Sequence, residues 1–261
     1  METIKGGQRP ATEPKFNVLR SLFFAEGGKG KSTAALTFPP PFFVLNCDKP
    51  IASLLEQLPE SFDITYERVA FDDVDSLTSQ MAKQYLAVAN RMIAKALAEG
   101  EGGTLFIDGG DNLHEAVKMA LLPSGDVSPR DHASVNSWWD THFRRLANKN
   151  INWVCTSFAK PEWIGATKTS GRWLPEGWKW MKRWMEQAVY MYTRAPAAPD
   201  GVPPDRAEGV PQEFRGQIAE AKERKAIVGR TMPRVSYKLL YKLYFDELPT
   251  NHERLWTPEY R

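Results

Sequence analysis

Cysteine is nearly absent from this chain, with only Cys47 and Cys155 among 261 residues. Both fall at or near the ends of apolar runs. A pair placed that way builds no disulfide framework, so a reducing cytosol is the expected setting. Histidine is sparse as well, at four residues, and none stands at metal-ligand spacing. His132 and His142 therefore read as surface or satisfied polar side chains. Charge of one sign is also lacking. A formal net charge of +2 excludes a chain that is polycationic throughout, so any surface for a polyanion must be local. There is no apolar run of about eighteen residues, and Met1 to Lys15 lacks the apolar core of a signal peptide. The expectation is a soluble chain with no membrane partner and a flexible leader over residues 1–15. No internal repeat is seen.

What the sequence does have is SLFFAEGGKGKSTAAL, from Ser21 to Leu36. An apolar strand runs into a glycine-rich turn, and a helix opens at Lys31. This is a phosphate-binding loop in relaxed form, with Ala25 in place of the first glycine, then four residues, then Gly30, Lys31 and Ser32. The cradle for a triphosphate is the row of backbone N–H groups over Gly27, Gly28, Lys29, Gly30, Lys31 and Ser32, together with the positive end of the helix. Lys31 is expected to reach the β- and γ-phosphates. Ser32 is expected to offer its hydroxyl to Mg²⁺, and Thr33 to steady the α-phosphate. The implied cofactors are ATP and Mg²⁺.

The chain alternates strands and helices. Phe16 to Phe24 reads as the first strand and Gly30 to Leu36 as the first helix, which the prolines at 39–41 end. The run FFVLNCDKP is a doubly buried strand delivering Asn46, Cys47 and Asp48 at its C-terminal edge, where open α/β sheets keep functional groups. A helix over Ile51 to Leu58, a strand over Ile64 to Val69 and a long amphipathic helix over Asp73 to Glu99 follow. TLFIDGGDNL is a buried strand ending in Asp108. A carboxylate there, downstream of a phosphate loop, is the second half of a nucleotide site and the expected Mg²⁺ ligand beside Ser32, with Asp111 as the spare candidate. Helices are expected over Asn112 to Leu122 and Ala133 to Asn148. Next come a strand over Trp153 to Cys155 that ends in Thr156, Ser157 and Lys160, and a strand over Gln187 to Thr193. A proline-rich excursion over Ala195 to Pro211, a charged helix over Gln212 to Ala226 and a strand or hairpin in VSYKLLYKLYFDEL complete the chain.

Taken in order, AEGGKGKST, FFVLNCDK, LFIDGGDN and WVCTSFAK resemble the RecA-type P-loop ATPase core, and most of all phage-encoded AAA-like or RecA-like single-strand-annealing ATPases. The resemblance covers residues 16–194. It implies an α/β fold, RecA-like, with a mostly parallel central sheet flanked by helices on both faces. Residues 195–228 and a C-terminal strand extension over 229–261 would belong to the same domain. Position by position, it makes Asp48 the acidic residue that polarises the attacking water, where the family often has glutamate. Thr156 and Ser157 stand where a γ-phosphate sensor is commonly glutamine or histidine, and Ser157 is the candidate. Lys160 resembles the basic residue that reaches a neighbouring subunit's nucleotide, so hydrolysis would need self-association. From the residues alone, Asp48 could instead cap the following helix, and Thr156 could satisfy backbone groups at a strand end.

The segment from Lys160 to Trp184 has six Lys or Arg against two Glu, and holds five of the nine tryptophans. Cations that track phosphates beside aromatic faces that stack on bases are the composition of a single-strand binding surface. Lys168, Arg172 and Trp173, among Gly165 and Gly171, read as a glycine-rich DNA loop together with Lys160. Trp178, Met181, Trp184 and Met185 recur at helical spacing and read as the core face of a helix. Arg130, Asp131 and His132 form a weaker second loop candidate. The function expected is an ATP-binding and ATP-hydrolysing protein of phage recombination or replication, acting on single-stranded DNA as an oligomer alongside other phage proteins. A nucleotide-dependent interaction module with little turnover, and a small-molecule or nucleotide kinase, are the alternatives.

Overall fold

The computed structural model describes residues 17–69, 77–122, 130–164, 168–179, 181–194, 213–249 and 255–258. The leader, the expected helix start at Asp73, most of the turn before Arg130, Gly165 and the proline-rich excursion lie outside them. Nine strands among the described residues join one sheet network. Strand β1 (Arg20–Ala25) is central, between β5 (Asn152–Ile164) and β7 (Gln187–Arg194), both parallel to it. Beyond β5 lie β4 (Thr104–Asp108), β2 (Phe42–Asn46) and β3 (Ile64–Arg68), all parallel. On the other side, β8 (Glu213–Ala221) and β9 (Thr231–Pro233) are added antiparallel. The order is therefore β3-β2-β4-β5-β1-β7-β8-β9, with β6 (Lys168–Pro175) pairing β5 off this path.

Alternation along each strand sends side chains into two cores. Leu22 and Phe24 of β1 face one, while Phe23 and Ala25 face the other. The first core is closed by α3 (Ser79–Glu99), α4 (Gly110–Leu121) and α5 (His132–Ala147). The second is closed by α1 (Lys31–Ala35) and α6 (Tyr237–Phe245), with α2 (Ala52–Leu55) packed beside it. Within the first core Trp139 stacks on Trp178 at 5.7 Å and on Phe143 at 5.3 Å. The expected mostly parallel sheet, covered on both faces, is what forms.

Three expectations are corrected. The segment read as a charged helix over Gln212 to Ala226 contains the strand β8, in which Gly216 and Ile218 are buried between less buried neighbours. Charged side chains line up on the exposed face of such a strand as readily as on a helix. VSYKLLYKLYFDEL is the helix α6 instead of a strand or hairpin, with Tyr237, Leu240, Tyr241 and Tyr244 buried at three- and four-residue spacing. Thr37 Oγ1 accepts from the Tyr237 N–H at 2.8 Å and fixes its start. The C-terminal extension is thus one short strand followed by a helix. Finally, among the described residues from Trp178 to Met185 the helical element is a 3₁₀ turn over Met181–Trp184, and Trp178, Met181 and Met185 are buried as expected.

Candidate nucleotide site and adjoining arm

The turn after β1 opens at the C-terminal edge of the sheet, and β5 lies between it and β4. A strand inserted there brings Thr156 between the loop and Asp108. Gly30 has φ 78, a left-handed conformation that glycine adopts without strain, and the ring of Phe214 lies 3.4 Å from where a Cβ would stand. Gly27, Gly28, Lys29, Gly30, Lys31, Ser32 and Thr33 all line a cavity of about 420 Å³, joined by Asp48 and Asp108 from the neighbouring strand ends. The segment after β2 adds Lys49, Pro50, Ile51, Ser53 and Leu54 to its walls, and Phe158 and Phe214 complete the lining.

The sequence-predicted nucleotide and metal residues therefore share one cavity. Ser32 Oγ lies 3.1 Å from both carboxylate oxygens of Asp108. Thr156 Oγ1 donates to Asp108 Oδ1 at 2.6 Å and accepts from the Gly109 N–H at 2.8 Å. Burial pushes Asp108 up to about 6, against the bonds from Thr156 and Ser32 that favour its charged form. Lys31 Nζ donates to the carbonyls of Ala25 and Glu26, each at 3.0 Å, and sits 4.9 Å from the centre of the Phe158 ring. Burial lowers its pKa, opposed by Asp108, Asp111 and Asp48. An ammonium held by two loop carbonyls beside three carboxylates is poised for an anion, which would exchange weak neutral acceptors for charged ones.

Oxygen donors and no soft ligands suit Mg²⁺, which keeps waters and substrate phosphates in its shell. Among the described residues no group of three His, Cys, Asp or Glu could hold a metal by itself. Ser32 and Asp108 fit an ion that arrives with the nucleotide. Lys29 Nζ donates to Thr193 Oγ1 at 3.0 Å, so this lysine ties the loop to β7 and offers the cavity its backbone. Asp48 lines the cavity, and the N-cap position of helix α2 is held by Ile51, so Asp48 does not cap that helix.

Ser157 is turned elsewhere. Its hydroxyl is within 2.9 Å of the Phe158 carbonyl and 3.2 Å of the Glu176 carbonyl, and it does not line the cavity. Of its strand neighbours, Thr156 is bonded to Asp108 and the apolar Phe158 lines the cavity. Adjacent residues on a strand face opposite ways, and Thr156 has the side toward Asp108.

Asp111 does not face the cavity either. It is buried, and its Oδ2 accepts from the Phe158 N–H at 3.1 Å. Gly177, with φ 89, packs against it so closely that a Cβ would come 3.0 Å from the Asp111 Cα. Asp111 is the seat on which both legs of an arm rest. No spacing in the sequence marks that role, nor those of Phe158 and Phe214.

The arm is the extension of β5 past Phe158, paired antiparallel with β6. The expected glycine-rich loop is corrected to this hairpin. Lys160 pairs opposite Leu174, and Lys168 opposite Ile164. Trp163 and Ile164 are 59% and 60% exposed. Arg172 is exposed, 3.8 Å from Glu162. Trp173 is half-buried, stacked on Tyr190 at 5.9 Å and 8°, and Tyr190 in turn stacks on Tyr192. Arg130 and His132 stand at the start of α5, away from both. His142 Nε2 lies 2.9 Å from Asn90 Oδ1 inside the helical layer.

No protein-family model matches the chain, and no curated protein matches it. Among solved structures, the assembled ATPase EscN from the enteropathogenic E. coli type III secretion system is similar over 67% of this chain and 43% of its own, at 15% identity and a TM-score of 0.47. A prototypical ATPase from the type III secretion system of pathogenic bacteria is similar over 67% and 51%, at 16% identity and a TM-score of 0.44. EscN in complex with its central stalk EscO gives 67% and 42%, 17% and 0.43. The chain thus spans about half the length of these structures or less. Likenesses of this size say nothing of substrate, partners or assembly. The order of the sheet and the glycine-rich turn at the end of β1 are properties of this chain itself. No described helix is long and apolar enough to cross a membrane.

Proposed function

We propose that this chain binds Mg–ATP over Gly27 to Thr33, hydrolyses it, and uses the cycle to control binding of single-stranded DNA on the β5–β6 arm as part of phage recombination or replication. The observation that carries the nucleotide reading is the meeting of Ser32 and Asp108 at 3.1 Å beside the Lys31 ammonium. Lys31 leaves the loop carbonyls for the β- and γ-phosphates, and Ser32 with Asp108 holds Mg²⁺. When bound, that ion neutralises charge on the phosphates. The apolar side chains of Pro50, Ile51, Leu54 and Phe214 in the cavity lining suit a nucleobase. Asp48 is the carboxylate within the cavity that orients water for attack.

The strand reading rests on Lys160, Lys168, Arg172 and Trp173 together on one projecting hairpin whose root touches the site through Phe158. Cations there track phosphates, and exposed Trp163 offers a stacking face. Self-association, with Lys160 completing a neighbour's site, is part of the same reading. One observation favours a second version, an interaction module with little turnover: Ser157 is spent on carbonyls, which leaves Phe158 where a polar sensor would stand. Calorimetry with Mg–ATP and turnover with and without oligo(dT) test both. Heat together with turnover stimulated by the strand supports the first, and heat with negligible turnover supports the second. No heat at millimolar Mg–ATP refutes the nucleotide site.

A further inference from the structure

Two adjoining cavities of about 460 and 310 Å³ lie along the outer strands β7 and β8. They share Lys182, Ala188, Ala219, Glu220 and Val228 in their walls, so they form one groove. Its floor is the sheet face that α3, α4 and α5 leave uncovered, and the small side chains of Ala188 and Ala219 keep it open. One end begins on the arm, at Arg172 and at Trp173 stacked on Tyr190. The other end reaches Lys222 and Lys225. None of these residues lines the nucleotide cavity.

The charges of this groove decide what it fits. Its two carboxylates are already matched, Glu186 by Arg20 at 2.6 Å and Glu220 by Lys182. The cations at its ends are not held in close ion pairs: the Arg172 side chain is 67% exposed and 3.8 Å from Glu162, Lys222 is exposed and donates to the Arg183 carbonyl, and Lys225 is exposed. An occupant with negative charge at both ends and a flat apolar group for Trp173 fits this lining, since Tyr190 is already stacked between Trp173 and Tyr192. From Gln217 to Ala221 strand β8 advances about 14 Å.

We propose that this groove is a second single-strand binding site, continuous with the arm. A short run of nucleotides leaves Arg172 and Trp173, crosses the Ala188 and Ala219 floor, and ends with phosphates on Lys222 and Lys225. The proposal rests on reading the arm as a strand-binding element, and the test separates the two. Fluorescence anisotropy with labelled oligo(dT) would be read for wild type, Arg172→Ala on the arm, Lys222→Ala/Lys225→Ala at the far end, and Ala219→Leu on the floor. Mg–ATP affinity and thermal unfolding serve as controls.

The double lysine variant should bind a long oligonucleotide about tenfold more weakly, and its salt slope should fall by about 1.4, since two phosphate contacts are lost. Ala219→Leu should weaken binding and lower the slope by a similar amount, because a strand that cannot cross the floor does not reach Lys222 and Lys225. A short oligonucleotide that fills only the arm should be insensitive to both changes. If Arg172→Ala weakens binding while the other variants bind as wild type does, the groove proposal is overturned and the arm stands. Should wild type bind no oligonucleotide, both fall. If an acidic peptide such as poly-glutamate displaces bound oligonucleotide from wild type and not from the lysine variant, at concentrations where the strand itself binds no better, the groove takes protein and the proposal is overturned.

Discussion

Replacing Asp108 by asparagine isolates the cost of keeping a carboxylate ready for a metal ion. Asp108 is 3% exposed, and the hydroxyls of Ser32 and Thr156 are its hydrogen-bond partners. Two hydroxyl protons do not replace the water it has lost, and its pKa stands at about 6 against an ordinary value near 3.8. The folded chain therefore holds this proton more tightly than the unfolded chain does. Between about pH 4 and 6 the native state binds more protons, so stability falls as pH rises through that window and is not regained above it. The penalty works out at about 3 kcal/mol at pH 7.5 and about 1 kcal/mol at pH 4.5. The amide of the Asp108→Asn variant would stand in for the neutral form. In metal-free buffer, urea unfolding should find that variant more stable than wild type by up to about 3 kcal/mol at pH 7.5, with the gap shrinking to about 1 kcal/mol at pH 4.5. Asp111 and Glu186, also raised by burial, are common to both proteins and cancel in the difference. Added Mg–ATP should then stabilise wild type and leave the variant nearly unmoved. A gap that stays the same at both pH values would refute the argument, because it would trace the effect to packing and not to charge.

Lys31→Ala should lower Mg–ATP affinity at least a hundredfold by calorimetry with little change in unfolding midpoint, since the ammonium contacts two loop carbonyls and the face of the Phe158 ring. Asp111→Ala should cost about 1 kcal/mol in urea unfolding, the expected penalty for stranding the partly buried Phe158 N–H, and proteolysis should find the arm more exposed. Gly177→Ala should cost a similar amount, because it meets both a left-handed φ and the Asp111 backbone. Trp139→Ala should cost about 3–5 kcal/mol by removing a ring stacked on Phe143 and Trp178, with nucleotide affinity retained in whatever fraction stays folded. Arg172→Ala with Trp173→Ala should weaken oligo(dT) binding and leave Mg–ATP affinity unchanged.

Local chemistry was readable in the amino-acid string wherever neighbours in sequence are also neighbours in the site. Gly27 to Thr33 is such a stretch, and so is the buried run that ends in Asp108: a close turn demands small residues, and a strand covered on both faces demands an apolar run with its polar residue at the exit. The long helix α3 carries its own 3.6-residue stripe, and Thr78 caps it through the Met81 N–H. What could not be read were relations between distant segments. Whether EFRGQIAEA forms a strand depends on β7 being there to pair with, and whether YKLLYKLYF turns its tyrosines inward depends on the second core beneath it. Ser157 and Thr156 are equivalent in sequence, and only the position of Asp108 across the sheet tells them apart. Asp111 reads as a spare metal ligand until Phe158 and Gly177 are seen resting on it. A phosphate cradle is built from consecutive amides and so is written locally, whereas an arm, its seat and the groove beside it are built from contacts that no spacing along the chain encodes.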